Sequence, residues 1–293
     1  MQLGLGTAQF GLDYGVSNRS GRVPVDEVAR ILELARCSGV DLVDTAPAYG
    51  SSEEAIGTAS RGAVPFRVVT KTPVFASERI TDADAKALAE SFGRSRTALR
   101  ADKLHGLLFH RADDIVKPGG RRLIETAQQL VADGALEKIG VSVYSAAELE
   151  RVLAIFAPDI VQVPVNVFDQ RLVRSGHLER LRQSGAEIHV RSVFLQGLLL
   201  MEPDRLPRYF DAFESHLGRY FEAVAAAGCS ALEAALTYVR SVTADAALIG
   251  VTRSDELRQA LSAWTAPPAR IDFAAFAHDD PRLLNPSRWK LAQ

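Results

Sequence analysis

The sequence predicts a single closed (β/α)8 TIM barrel. Three observations predict it: eight short runs rich in Val, Ile and Leu, an amphipathic helical pattern between most successive runs, and a length of 293 residues that accommodates eight such units in one closed sheet. Apolar runs without polar alternation are buried on both faces, and strands of that kind alternating with helices form parallel sheets.

The first strand is expected at Gln2–Gly6. A helix follows over Val25–Cys37, with Val25, Val28, Ile31, Leu32 and Ala35 on one face and Gly39 after its end. The second strand is Leu42–Asp44 and the third Arg67–Lys71. The helix Asp82–Leu99 comes next, with Thr81 as its cap. The fourth strand is Gly106–His110, and the helix Arg121–Ala132 after it ends near Gly134. Lys138–Ser142 is the fifth strand, Ala146–Phe156 the helix that stops before Pro158. Ile160–Pro164 is the sixth strand, Leu172–Gln183 its helix, closed by Ser184-Gly185. Ile188–Ser192 is the seventh strand. Met201–Ala227, with five aromatic residues from Tyr209 to Phe221, is expected to hold extra helix. Ala247–Val251 is the eighth strand, and Ser254–Ala263 the last helix, opening on a serine followed by acids. No Pro-, Gly- or Ser-rich linker divides the chain, so residues 1–293 read as one domain, with a C-terminal extension from about residue 266 as a lid or packing segment.

The chain is 47% hydrophobic and 24% charged, as a folded protein is, and its net charge of −2 offers no basic surface to a nucleic acid. Its two cysteines, Cys37 and Cys229, are too few for a disulfide framework or a thiolate zinc site. The six histidines show no metal-ligand spacing, so no metal is expected. No apolar run reaches the roughly 18 residues of a membrane span, and no signal peptide is visible. A reduced, cytoplasmic compartment is the expectation.

In a barrel of this kind chemistry belongs to the loops that follow the strands. Asp44, Lys71 and His110 end three successive strands, Ser142 ends the fifth, Gln162 lies in the sixth, and Arg191 and Ser192 end the seventh. One ionisable residue at a strand end is easily accidental. An Asp, a Lys and a His at three successive ends are not.

These pieces resemble the aldo-keto reductases. Leu5-Gly6-Thr7, Asp44-Thr45-Ala46-Pro47-Ala48-Tyr49-Gly50, Thr70-Lys71, Leu108-Phe109-His110, Ile139-Gly140-Val141-Ser142, Val161 to Asn166 and Gln196-Gly197-Leu198-Leu199 fall in that family's order over nearly the whole chain. The resemblance implies a nicotinamide-dependent oxidoreductase with Asp44, Tyr49, Lys71 and His110 as its catalytic set and Tyr49 as proton donor. The chemistry of the four is coherent by itself. A carbonyl that accepts hydride builds negative charge on oxygen and needs a proton. A tyrosine with a pKa near 10 needs help, which a buried ammonium such as Lys71 can give. A buried lysine in turn needs a carboxylate, here Asp44, and His110 can orient the substrate oxygen.

The cofactor implied is NADP, with NAD left open, and no Rossmann glycine motif is present, since Gln9 stands where its third glycine would be. The resemblance assigns Ser142 and Gln162 to the carboxamide, Gln196 and Gly197 to the pyrophosphate, and Gly250, Thr252 and Arg253 to the adenosine end. Gly6, Thr7 and Ser192 join this set. Phe10, Tyr14, Pro73 and Phe194 are expected to line the substrate pocket, with core packing the competing reading for Phe10 and Tyr14.

Four departures from the family stand out. Val143 replaces an asparagine. Arg191 falls where an aromatic residue stacks on the nicotinamide; the guanidinium could stack in its place, reach the pyrophosphate or an anionic substrate, or pair with a carboxylate as a structural arginine. Glu256 or Leu257 falls where a basic residue holds the 2′-phosphate, with Arg253 and Arg258 near enough to compensate. The chain starts at its first strand without an N-terminal β-hairpin plug, so large side chains or another segment must close the barrel floor.

The expected partner is a small carbonyl compound. Asp13 and Arg191 point to a polar, sugar-like or anionic one, and the segments Leu5–Gly11 and Val190–Gly197 resemble a bacterial branch associated with sugar or polysaccharide metabolism. No nucleic acid or membrane is expected, and monomer and dimer both stay open. Three other readings compete: an aldose dehydrogenase working in the oxidative direction, a cofactor-sensing barrel with little turnover, and a Schiff-base lyase using Lys71, against which Asp44 argues.

Overall fold

In the computed structural model, which describes residues 1–60 and 62–289, eight parallel strands pair in sequence order and close on themselves. They are β1 (Gln2–Gly6), β2 (Leu42–Asp44), β3 (Arg67–Lys71), β4 (Leu104–Phe109), β5 (Leu136–Ser142), β6 (Ile160–Pro164), β7 (Glu187–Arg191) and β8 (Ala246–Gly250). The predicted barrel is therefore observed. Strands four, five, seven and eight start one or two residues earlier than expected, and four, seven and eight also stop one residue earlier, which leaves His110 and Ser192 just past their strands.

Two apolar layers hold it. The larger fills the space between sheet and helices, and includes Leu3, Leu5, Ile31, Val43 and Val161. The smaller lies inside the barrel: Leu42, Val69, Leu108, Ile160, Ala246 and Leu248. Side chains on a strand alternate between faces, so the residue two further on points the same way. Asp44, Lys71, His110, Gln162 and Gly250 each stand two residues beyond a member of that inner layer. One parity rule thus delivers the polar set to a single ring above the apolar plug.

The floor is closed by charge. Glu187, at the start of β7, accepts from His189 Nε2 (2.8 Å), from Lys138 Nζ (2.5 Å) and shares a hydrogen bond with His105 Nε2 (3.1 Å), while Arg67 lies 3.4 Å away. Burial opposes ionisation of Glu187, yet the hydrogen bonds from His105, His189 and Lys138 outweigh it and hold the carboxyl far below the ordinary glutamate range. The closing side chains are large, as expected, but polar.

The helices differ in detail. Thr81 caps Asp82–Leu99 through a reciprocal box with Asp84, whose carboxylate accepts from the Thr81 N–H at 2.8 Å. The stretch expected as one helix over 172–183 is two, Arg171–Arg174 and His177–Gln183, because Gly176 turns left-handed (φ 75°) between them. The helix at Ala146 ends at Leu153, ahead of Phe156. Ser52–Ala59 and Ala231–Arg240 are further helices, and the aromatic segment holds Glu214–Ala226. The C-terminal extension packs on that segment. Trp289 meets Phe210 edge-on at 4.9 Å, Phe276 meets Tyr220 at 5.6 Å, and the His278 N–H donates to Phe168 O.

Candidate active site

Lys71 is buried, 2% exposed. Its Nζ donates to Asp44 Oδ1 and Oδ2 at 2.6 and 2.7 Å and to Thr45 O at 3.0 Å. All three ammonium protons are committed. Gln162 Nε2 adds a fourth contact to the pair, donating to Asp44 Oδ1 at 2.7 Å. Burial pulls the lysine pKa down and Asp44 opposes it.

Tyr49 sits on the loop after β2, with Lys71 Nζ 4.8 Å from the centre of its ring and the His110 ring edge-on at 6.0 Å. The ammonium therefore faces the ring, and the Tyr49 hydroxyl makes no hydrogen bond among the described residues. Burial pushes the phenol pKa well up and Asp44 pushes it further; Arg191 is the cation that acts against them. Lys71, expected from the sequence to lower this pKa, is not among the groups that move it, and its three protons are taken by Asp44 and Thr45. Burial, then Lys71, take His110 down to about 4, so its ring is neutral at pH 7, and its Nδ1 is buried without a partner.

The loop that carries Tyr49 is held by close backbone approach. A Cβ at Gly11 would stand 1.8 Å from Tyr49 O, and Gly50 adopts φ 60° with Gly11 O 2.5 Å from where its own Cβ would be. No larger residue fits either position. Ser52 locks the same junction. Its hydroxyl donates to Thr7 O or Thr7 Oγ1, both at 2.8 Å, and Thr45 Oγ1 lies 3.1 Å from it. Ser52 was not singled out in the sequence, although the invitation was there: a small polar residue three positions after the tyrosine.

A cavity of about 480 Å³ runs from Asp44 to Glu256. Gly6, Thr7, Tyr14, Arg191, Ser192, Phe194, Gln196, Gly197, Gly250, Thr252 and Glu256 line it; Ser142, Gln162 and Arg253 do not. Ser142 and Gln162 are paired in register across β5 and β6 and buried. Gln162 Oε1 is buried and unpartnered. Phe10 is 1% exposed in the main core, so its assignment to the substrate pocket is corrected to packing; Pro73 is half-buried and outside this cavity's lining.

Over the cavity the loop after β7 is strained. Ser192, Leu195 and Gln196 hold φ of 59°, 48° and 55°, three of the four such non-glycine residues described, and Gly197 follows at 94°. The buried Asn166 fixes its start by donating to Ser192 O at 3.1 Å. The loop after β1 closes on it: the Val16 N–H donates to Gln196 O at 2.9 Å, Gln196 Nε2 donates to Tyr14 Oη at 3.1 Å, and a Cβ on Gly197 would strike Ser17 Oγ.

At the far end two carboxylates occupy the backbone N–H groups that open the helix Ser254–Thr265. Glu27 Oε1 accepts from Ser254 N at 2.6 Å, and Glu256 Oε2 from Thr252 N at 2.6 Å. Glu27 comes from a distant helix and gave no sequence signal. Tyr144 is a further residue the sequence did not single out. Its ring centre lies 4.1 Å from the Arg191 guanidinium, which also donates to Val143 O and Ser192 Oγ.

A family model described as the aldo/keto reductase family matches residues 2–276. An aldo-keto reductase of Bacillus subtilis (strain 168) is 26% identical over 177 residues, covering 58% of this chain and 50% of that protein, so the chain spans about half the length of this curated relative. Among solved structures, a glycerol dehydrogenase from Gluconobacter oxydans is similar with a TM-score of 0.69 at 21% identity, over 90% of this chain and 86% of that one. An aldo-keto reductase from Bacillus halodurans in its holo form gives a TM-score of 0.71 at 18% identity, over 91% and 87%. These structural likenesses are likenesses of fold.

Proposed function

Since the chain belongs to the aldo/keto reductase family, we propose that it is an NAD(P)H-dependent oxidoreductase that reduces a small aldehyde or ketone to an alcohol. The observation that carries this reading is the ring of inward-facing polar side chains, in which the buried Asp44–Lys71 pair lies under the Tyr49 ring and His110 stands beside it.

The cavity suits a nicotinamide dinucleotide. Gln196 and Gly197 would hold the pyrophosphate and Gly250, Thr252 and Glu256 the adenosine end, with Gly6, Thr7 and Ser192 along the wall, while Ser142, Gln162 with its unpartnered Oε1, and Arg253, all outside the cavity's lining, are assigned to the carboxamide and the adenosine end by the family resemblance alone. When bound, the cofactor supplies the hydride. The remaining work belongs to the chain. Neutral His110 donates a hydrogen bond to the carbonyl oxygen and orients it. Tyr49 stays protonated through neutral pH and gives its proton to the nascent alkoxide, a stronger base than phenolate. Lys71, with no proton to spare, acts through its field. Tyr14 and Phe194 border the substrate.

Between the two dinucleotides the reading keeps NADP, which Arg253 favours. The carboxylates of Glu27 and Glu256 oppose a 2′-phosphate, and exchange of Glu256 tests the balance. Among the described residues no helix is long and apolar enough to cross a membrane. A reduced cytoplasmic setting agrees with the free thiols of Cys37 and Cys229. The test is oxidation of NADPH and NADH, followed by near-ultraviolet absorbance, over a panel of aldehydes, ketones and aldoses. Turnover by the native protein that is lost in folded Tyr49→Phe supports the reading. Equal turnover by both overturns the role of Tyr49, and failure of both cofactors to bind overturns the function.

A further inference from the structure

Arg191 ends β7 at the same end of the barrel as Asp44, Lys71 and His110 but differs from them in one respect. Asp44 and Lys71 neutralise each other at 2.6 Å. Arg191 is held only by neutral groups: the Ser192 hydroxyl and the Val143 carbonyl, each at 3.2 Å, and the face of Tyr144. Among the described residues no carboxylate lies within ion-pair distance of it, which removes the reading of a structural arginine paired with an acid. These contacts immobilise the guanidinium and leave its charge unbalanced.

A half-buried cation without a counter-ion is costly to maintain. Here it lines the cavity that Asp44, Tyr14 and Phe194 also border, a lining that does not include Tyr49, Lys71 or His110. Burial dominates the behaviour of Tyr14, Tyr49, Lys71 and His110, and the Arg191 charge acts on all four in one direction, downward, so it stands close enough to be felt by each of them. The guanidinium is planar, and its remaining N–H groups match the two oxygens of a carboxylate or phosphate.

Resting on the reductase reading, we propose that the substrate is an anionic carbonyl compound, an aldehyde or ketone bearing a carboxylate or phosphate, whose anion pairs with Arg191 while its carbonyl faces Tyr49 and His110. Tyr144 is the positioning residue that keeps the guanidinium aimed. The cofactor's own phosphates are the other source of an anion at this site, and the experiment separates the two.

Two arms test it. The first compares turnover of ω-oxo acids of two to five carbons with their methyl esters, using native protein, Arg191→Gln and Arg191→Lys. The second measures binding of succinate against succinamide to the cofactor-loaded proteins by calorimetry, with cofactor affinity titrated separately. The expected native kcat/KM favours one or more acids over the matching ester by roughly 10- to 100-fold, the range of a charge-assisted hydrogen-bonded pair. That ratio collapses toward one in Arg191→Gln and recovers in part in Arg191→Lys, and succinate binding follows it. A native ratio near one at every length overturns the proposal, as does a ratio unmoved in Arg191→Gln. Weaker cofactor binding with an unchanged ratio assigns Arg191 to the cofactor and also overturns it. Charge-selective binding lost in Arg191→Gln, without turnover of any acid or ester, sustains the anion site and instead removes the reductase reading.

Discussion

Replacing Asp44 by Asn removes one charge from the most buried ion pair of the molecule and keeps its shape. Lys71 then loses both carboxylate contacts and retains only Thr45 O. The new amide also meets two donors, the ammonium and Gln162 Nε2, with a single acceptor oxygen. The lysine has two options, and both are costly. Staying charged, it is an unpaired buried ion, a loss of about 3–5 kcal/mol. Releasing its proton, it must be deprotonated at pH 7 from an unfolded pKa near 10.4, which costs about 4.6 kcal/mol at ~1.36 kcal/mol per pH unit. The two limits agree, so we expect a loss of about 3–5 kcal/mol at pH 7. At ~2–4 °C per kcal/mol for a chain of this size, the thermal midpoint falls by at least about 6 °C. The pH dependence separates the two options. A lysine whose folded pKa is depressed binds fewer protons folded than unfolded, so stability rises with pH up to the unfolded pKa. If Lys71 is neutral in Asp44→Asn, the deficit against native protein shrinks by up to about 1.4 kcal/mol per pH unit above pH 7. Urea unfolding followed by circular dichroism at pH 7, 8 and 9 measures both quantities. A deficit under about 1 kcal/mol at pH 7 would falsify the buried pair. A large deficit that ignores pH would show that Lys71 keeps its proton without Asp44.

Three further outcomes follow from the geometry. Tyr49→Phe should lower kcat by roughly 10²- to 10⁴-fold, the span of a positioned proton donor, with cofactor affinity unchanged by fluorescence titration. Glu256→Lys frees the Thr252 N–H and reverses a charge at the adenosine end of the cavity, so the ratio of NADPH to NADH kcat/KM should rise about tenfold, or about 1.4 kcal/mol, and an unchanged ratio places the 2′-position elsewhere. Glu187→Gln should destabilise the barrel floor. The folded Glu187 pKa is depressed, so its stabilisation is present above the unfolded value near 4.3 and is lost as pH falls. His105, raised chiefly by its hydrogen bond to Glu187, has the opposite sign and loses its contribution as pH rises above the unfolded value near 6.5. Native protein should therefore be most stable between these limits, and Glu187→Gln should flatten both sides of that profile in denaturant titrations.

Much of this molecule is legible in the chain because its information is periodic. Strand composition and the two-residue alternation bring Asp44, Lys71, His110, Gln162 and Gly250 to one ring, and both can be read without coordinates. What was not legible is set by contacts between loops distant in sequence. Tyr144 beneath Arg191 and Glu27 on the Ser254 N–H join segments 47 and 227 residues apart in the chain, and nothing local marks either pair. Phe10 was misplaced for a related reason. The turn Ala8–Gly11 is a short helix that rotates Phe10 back into the core, and an apolar residue in a loop carries no sign of which way the loop folds.

The placement of charge distinguishes the two ends of this barrel. At the floor, Glu187 is surrounded by His105, His189, Lys138 and Arg67, and its charge has partners on several sides. At the opposite end the Asp44–Lys71 pair closes on itself and leaves Arg191 as surplus. On the reductase reading a carbonyl under reduction becomes an alkoxide, so negative charge would develop where the charge of Arg191 has no counter-ion. The same charge explains how a tyrosine with a raised pKa can still serve. Burial keeps Tyr49 protonated until the alkoxide appears, and Arg191 favours the phenolate afterwards. A site with Lys71 free and Arg191 paired would hold the same net charge but would offer the tyrosine a competing proton donor. On that reading, committing the lysine to Asp44 and leaving the arginine, which cannot give up its proton, beside the cavity leaves Tyr49 as the acid.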